Sequence, residues 1–143
     1  MSKQEMEAAA KKLQDYYSQF PDWYWKYGLH DARILSICEL KFTPNWKEKH
    51  PKRNCLEILL DGKNALYETN IQRILLYNYH IVDIKMNATE PIVLDAFQGV
   101  YWLGDSITQP RDGRYLLEVE CTDLQDSLMH LTIQFETAEI KRA

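Results

Sequence analysis

The hydrophobic positions of this chain change their period once, near Tyr27. Before it, Met6, Ala9, Leu13, Tyr16, Tyr17 and Phe20 recur at spacings of three and four, which predicts one helix over residues 3–20 with a single apolar stripe. Ser2 is placed to cap its start and Glu5 to complete a capping box. Ala8 to Ala10 favour helix, and Pro21 ends it. The stripe is expected to lie on a sheet.

After Tyr27 the period is two. Residues 32–42 read as a first strand with apolar side chains on both faces: Ile34, Cys38, Leu40 and Phe42 on one, Leu35 and Ile37 on the other. Such a strand belongs in the middle of a sheet. Leu56, Ile58 and Leu60 alternate with Cys55, Glu57, Leu59 and Asp61 in a second strand, and Asp61-Gly62 marks a turn. A third run begins near Leu66 and reads as two extended segments with a bend near Tyr77 to His80. Residues 88–99 carry mixed signals. Thr89, Pro91 and Gly99 suit a short helix or loop.

The last third is the most regular. Val100 to Thr108 reads as a strand, and Gln109-Pro110-Arg111-Asp112-Gly113 as a hairpin connection. Tyr115, Leu117, Val119 and Cys121 then face in, while Glu118 and Glu120 face out. In the final strand Met129, Leu131, Ile133 and Phe135 face in; His130, Thr132, Gln134 and Glu136 face out. No strand–helix–strand alternation occurs, so a parallel sheet is not expected. The pattern predicts one α+β domain over 1–143: an N-terminal helix, residues 1–20, packed on a sheet-dominated body, 28–143. That body is a mostly antiparallel meander of about six or seven strands.

Charge adds an asymmetry. The net charge is −4, but residues 1–53 hold ten Lys/Arg against seven Asp/Glu, and residues 54–143 hold seven against fourteen. An acidic chain repels phosphate backbones, which argues against nucleic-acid binding. Cys38, Cys55 and Cys121 are odd in number, widely spaced and set in strands, so they read as buried free thiols in a reducing compartment. No stretch approaches the roughly 20 apolar residues of a membrane span, and no secretory signal opens the chain. A cytoplasmic protein without a membrane partner is expected.

Few residues suggest chemistry. Gly-rich phosphate loops and nucleophile elbows are absent from the sequence. His30, His50, His80 and His130 lack the spacing of zinc ligands, so no metal or cofactor is expected. His30 and Asp31, beside Arg33, form the one local polar cluster. They read as a brace at the start of the first strand, or as an acid–base pair of a small hydrolase in need of a third group. Phe20, Trp23, Tyr24, Trp25 and Tyr27 fall within eight positions. They fit a core cap, or a carbohydrate-binding platform on Trp23 and Trp25 that requires exposed, coplanar rings. Lys47, Lys49, His50, Lys52 and Arg53 make the loop 43–54 basic. Glu118, Glu120, Asp123 and Asp126 make the C-terminal hairpin acidic, without the order of a calcium loop.

At YGLHDARILSICEL, at GVYWLGDSI, and at DGRYLLEVEC with LTIQFETAEIKR, the chain resembles small bacterial proteins of uncharacterised function. These share an aromatic-rich helical start, a Leu-His-Asp-Ala/Ser lead-in to the first strand and a C-terminal antiparallel hairpin. Some of that build are toxin-immunity proteins. The resemblance covers residues 20–141 and implies a sheet-dominated α+β fold and a binding role; it transfers no catalytic residue onto His30 or Asp31. The expectation is a non-enzymatic protein-binding module, immunity-like, contacting its partner through Lys49, Lys52 and Arg53 or through Glu118 and Glu120. Opposite charges on one chain also permit a homodimer.

Overall fold

The computed structural model describes residues 2–17, 20–25, 28–49, 51–63, 65, 70–87, 90–109, 113–125 and 127–143, with only the backbone of the helix after Lys12. Helix α1 spans Lys3–Tyr17, and the Ser2 Oγ accepts the Glu5 N–H at 3.1 Å, the cap that the sequence implies. Through Lys12 the helix is exposed, and Met6 is 56% exposed. Met6 and Ala9 therefore do not lie on the sheet as expected; the rest of that stripe falls outside the described side chains. With no apolar partner face, capping and alanine content sustain this part of the helix.

The strands are β1 (Arg33–Lys41), β2 (Asn54–Asp61), β3 (Ile71–Tyr77), β4 (His80–Met86), β5 (Glu90–Pro91), β6 (Tyr101–Thr108), β7 (Tyr115–Thr122), β8 (Leu128–Phe135) and β9 (Thr137–Arg142). They form one sheet in the order β5-β4-β8-β7-β6-β1-β2-β3-β9, and every pairing is antiparallel. Eight strands have six or more residues and β5 has two, so the expected count of six or seven was low. The missing full strand is β9, whose sequence TAEIKR carries two apolar residues and reads as a tail. A short 3-10 turn, Leu94–Phe97, sits inside the ambiguous stretch, and Gly99 follows it at φ +82°. Residues 88 and 89, the expected cap, lie outside the described residues.

Two meanders, β1-β2-β3 and β6-β7-β8, meet at a short seam. There Ile34 N–H donates to the Val100 carbonyl at 2.7 Å and Trp102 N–H to that of Ala32 at 2.8 Å. The other junction is a corner. Only Asn78 and Tyr79 separate β3 from β4, and only Glu136 separates β8 from β9. Yet β3 and β4 lie near opposite ends of the strand order. Two residues span about 10 Å at most, so the sheet must curl far enough to bring the end of β3 next to the start of β4. One register continues through the corner, from Ile81↔Ile133 and His80↔Gln134 to Tyr77↔Thr137 and Leu76↔Ala138. Asn78, at φ +52°, turns the chain there, as the sequence places a bend. Its side chain accepts the Arg53 N–H at 2.7 Å and donates to the Pro51 carbonyl and to Glu136.

The curled sheet encloses the main core. Ile58, Ile74 and Leu76 from one meander share it with Trp102, Leu117, Leu131 and Phe135 from the other. Bulges decide which residues enter. In β1 the register shifts between Ile34 and Ser36, so Ile34 and Ile37 both point inward while Cys38, Leu40 and Phe42 are exposed. This corrects the two-faced apolar reading of β1 and the expectation that Cys38 is buried. Cys55 and Cys121 are buried, and all three cysteines are free.

Candidate functional site

Three regions carry the residues that the sequence nominates. The first is the seam between β1 and β6, where Tyr24, Trp25, Leu29 and Ala32 join the core. Asp31 takes φ +68°, a conformation Asp tolerates better than most residues, and donates its N–H to the Trp102 carbonyl at 2.7 Å. His30 is thereby turned toward β6, and its Nδ1 donates to the Leu103 carbonyl. Its Nε2 lies 3.7 Å from the Asp31 carboxylate, outside hydrogen-bonding distance, and both side chains are half exposed. A backbone carbonyl, not a carboxylate, orients the imidazole.

Beside it lies a carboxylate the sequence reading missed. Asp105 sits on the inward face of β6, opposite Val119. Tyr24 OH donates to its Oδ1, while Trp25 Nε1 and Trp102 Nε1 donate to Oδ2 at 2.7 and 2.8 Å. Burial pushes the Asp105 carboxyl above its ordinary range, against the three donors, which pull it down. Strict alternation would put residues 102 and 105 on opposite faces. The shift between Trp102 and Gly104 puts them on the same one. The available signal was the Asp itself, directly after Trp-Leu-Gly and the one charged residue of its strand.

This carboxylate fastens the aromatic segment to the sheet. Trp25 is 5% exposed and meets Trp102 edge-on at 5.7 Å. Trp23 is half-buried, edge-on to Tyr115 and Phe135 at 5.5 and 5.7 Å. The two rings are tilted by 49° to one another. With Trp25 buried, Trp23 half-buried and the rings tilted, the pair lacks the exposed, coplanar faces that a carbohydrate platform requires.

The second region is the β1–β2 loop, closed at its base by Phe42 N–H donating to the Arg53 carbonyl at 2.9 Å. Phe42 and Lys52 fold onto the outer face of β3. Lys52 Nζ lies 4.2 Å from the centre of the Tyr77 ring, and Phe42 lies 6.3 Å from it, centre to centre. Beneath them Cys55, Leu75 and Tyr77 form a small second core. Tyr77 OH donates to Glu139 at 2.8 Å, and its own ionisation is pushed up to about 12 by burial and by that carboxylate. Trp46 stands out at 71% exposure with the Arg53 guanidinium 5.5 Å from its ring centre. Lys47 and Lys49 are exposed on the same loop; His50 lies outside the described residues.

The third region is the outer face of β4, β7 and β8. Glu118 stands opposite Thr132, and Glu120 opposite His130. Asp83 and Lys85, ion-paired at 3.0 Å, continue the two rows on β4. Asp83, Lys85, Glu120, Leu128 and His130 line a shallow hollow of about 230 Å³. This face is mixed in charge. Asp123 serves the β7–β8 turn, accepting the Gln125 and Ser127 N–H groups, which hold its carboxyl below the usual range; Asp126 lies outside the described residues. Among the described residues no group of three or more His, Cys, Asp or Glu could hold a metal ion, and no helix is long and apolar enough to cross a membrane. Compared with protein-family models, curated proteins and solved structures, the chain finds no match.

Proposed function

We infer that this chain is a protein-binding module that takes an acidic protein partner on its β1–β2 loop. The carrying observation is Trp46, 71% exposed on a loop whose backbone is anchored at both ends. A large exposed ring flanked by a guanidinium matches the composition of interface hot spots. Lys47, Lys49, Lys52 and Arg53 lie on the same loop, against one acidic residue there, Glu48. Leu40 and Phe42, both exposed, extend the apolar centre along β1. An apolar centre with a cationic rim suits an acidic surface, and the rim charges set its association rate. An immunity-like role, as the sequence resemblance implies, is one form of this reading.

The test is affinity capture from source-cell lysate with the wild type, Trp46→Ala and a Lys49→Glu/Lys52→Glu/Arg53→Glu variant. The expected result is one acidic protein held by the wild type, released by salt and lost in both variants. Equal capture of the same species by all three removes the loop from the interface.

A further inference from the structure

We propose that β9 is a homotypic interface, on which a second copy of this chain adds its own β9 antiparallel to the first. The two ends of the sheet differ. The β4 end is closed off by β5, two residues that include Pro91, a short edge that cannot extend a ladder. The other end is β9, six residues without Pro or Gly, paired to β3 on one side only. Its second row of backbone donors and acceptors has no strand partner among the described residues, which makes it a template for β-augmentation.

The sequence of β9 selects both occupant and register. Glu139 and Lys141 project from the outer face, opposite Leu75 and Arg73 of β3. A two-fold axis through Ile140 sets Glu139 of each copy opposite Lys141 of the other, two complementary cross-strand pairs. Centring the axis on Glu139 sets two carboxylates face to face, and centring it on Lys141 sets two ammonium groups. A slip by one residue turns the core face of one copy outward. Within one copy these two side chains pair with each other at 3.6 Å and are about half exposed, so a second strand can exchange that one pair for two across the interface. On the inner face the same register sets the two half-buried Ile140 side chains side by side.

Sedimentation velocity at tens of micromolar tests this. The wild type is expected at twice the chain mass. Lys141→Glu, which leaves the Tyr77–Glu139 bond in place, and Glu139→Lys are each expected to run as monomers. An equimolar mixture of those two variants is expected to recover the dimer, because each supplies the charges the other lacks. The Glu139→Lys/Lys141→Glu swap is expected to dimerise with itself. A monomeric wild type, or a dimer indifferent to both single variants, overturns the proposal. So does a mixture that stays monomeric while each variant keeps the wild-type circular dichroism spectrum.

Discussion

The two outer faces of this sheet solve the same problem differently. Outside β6, β7 and β8 the outward positions include Ser106, Glu118, Glu120 and His130, polar side chains that tolerate water, with Leu116 and Leu128 at the margins. Outside β2 and β3 the outward positions include Cys55, Leu75 and Tyr77, all buried. There the β1–β2 loop folds back, with Phe42 and Lys52 lying against Tyr77. The base of the loop is therefore held by a small core of its own. A surface loop is held against the sheet when the strands beneath it are apolar on that side.

Substitutions can break that contrast. Leu75→Ala empties the second core and is expected to cost about 2–5 kcal/mol in urea unfolding, as a substitution in the main core would. A cost under 1 kcal/mol would mean the loop does not cover the face. Asp105→Ala tests the inward carboxylate of β6. It strands three aromatic donors and is expected to cost about 1–3 kcal/mol. Because the folded state holds the Asp105 carboxyl above its ordinary range, this group adds stability as pH falls through that range and loses it as pH rises. Asp105→Asn should abolish that component of the wild-type pH profile; parallel profiles would refute it.

Tyr77→Phe removes the hydroxyl bonded to Glu139, at about 1 kcal/mol near neutral pH. With its folded-state ionisation at about 12 against an ordinary value of 10, Tyr77 contributes stability below pH 10 that is lost between 10 and 12. The variant should lack that alkaline loss. Glu118→Ala, on the polar face, should change stability by no more than about 0.5 kcal/mol. A larger effect would show that the outer row Ser106–Glu118–Thr132 is a network.

Where alternation runs unbroken, the pattern of side chains alone places each strand and its faces. Leu56, Ile58 and Leu60 in β2 are such a run, as are Met129 to Phe135 in β8, and each inward residue is buried. The bend near Tyr77 to His80 was also legible, because the residues on either side favour strand without keeping one period. Failures cluster at bulges. One residue inserted after Ile34, and another after Trp102, shifts the face of everything beyond it. A period-two reading then turns Cys38 inward and loses Asp105. β9 was missed for a different reason. Its two apolar side chains meet the rim of the core, and its pairing with β3, some 60 residues away, leaves no local trace. For the candidate sites, the basic loop was visible in composition; the exposure of Trp46 and the anchoring of its loop were not.

The shared corner at Asn78 and Glu136 has a kinetic meaning. Strands β3 and β4 are consecutive, but each finds its partner in the C-terminal ribbon of β8 and β9. Neither meander can therefore close on its own, and the last strands made are the ones that seal the first. A high contact order of this kind predicts slow folding that waits for the whole domain to be synthesised. It also predicts one cooperative unit once closed, in which amides on β3 and β8 exchange with solvent at the same rate through the same global opening.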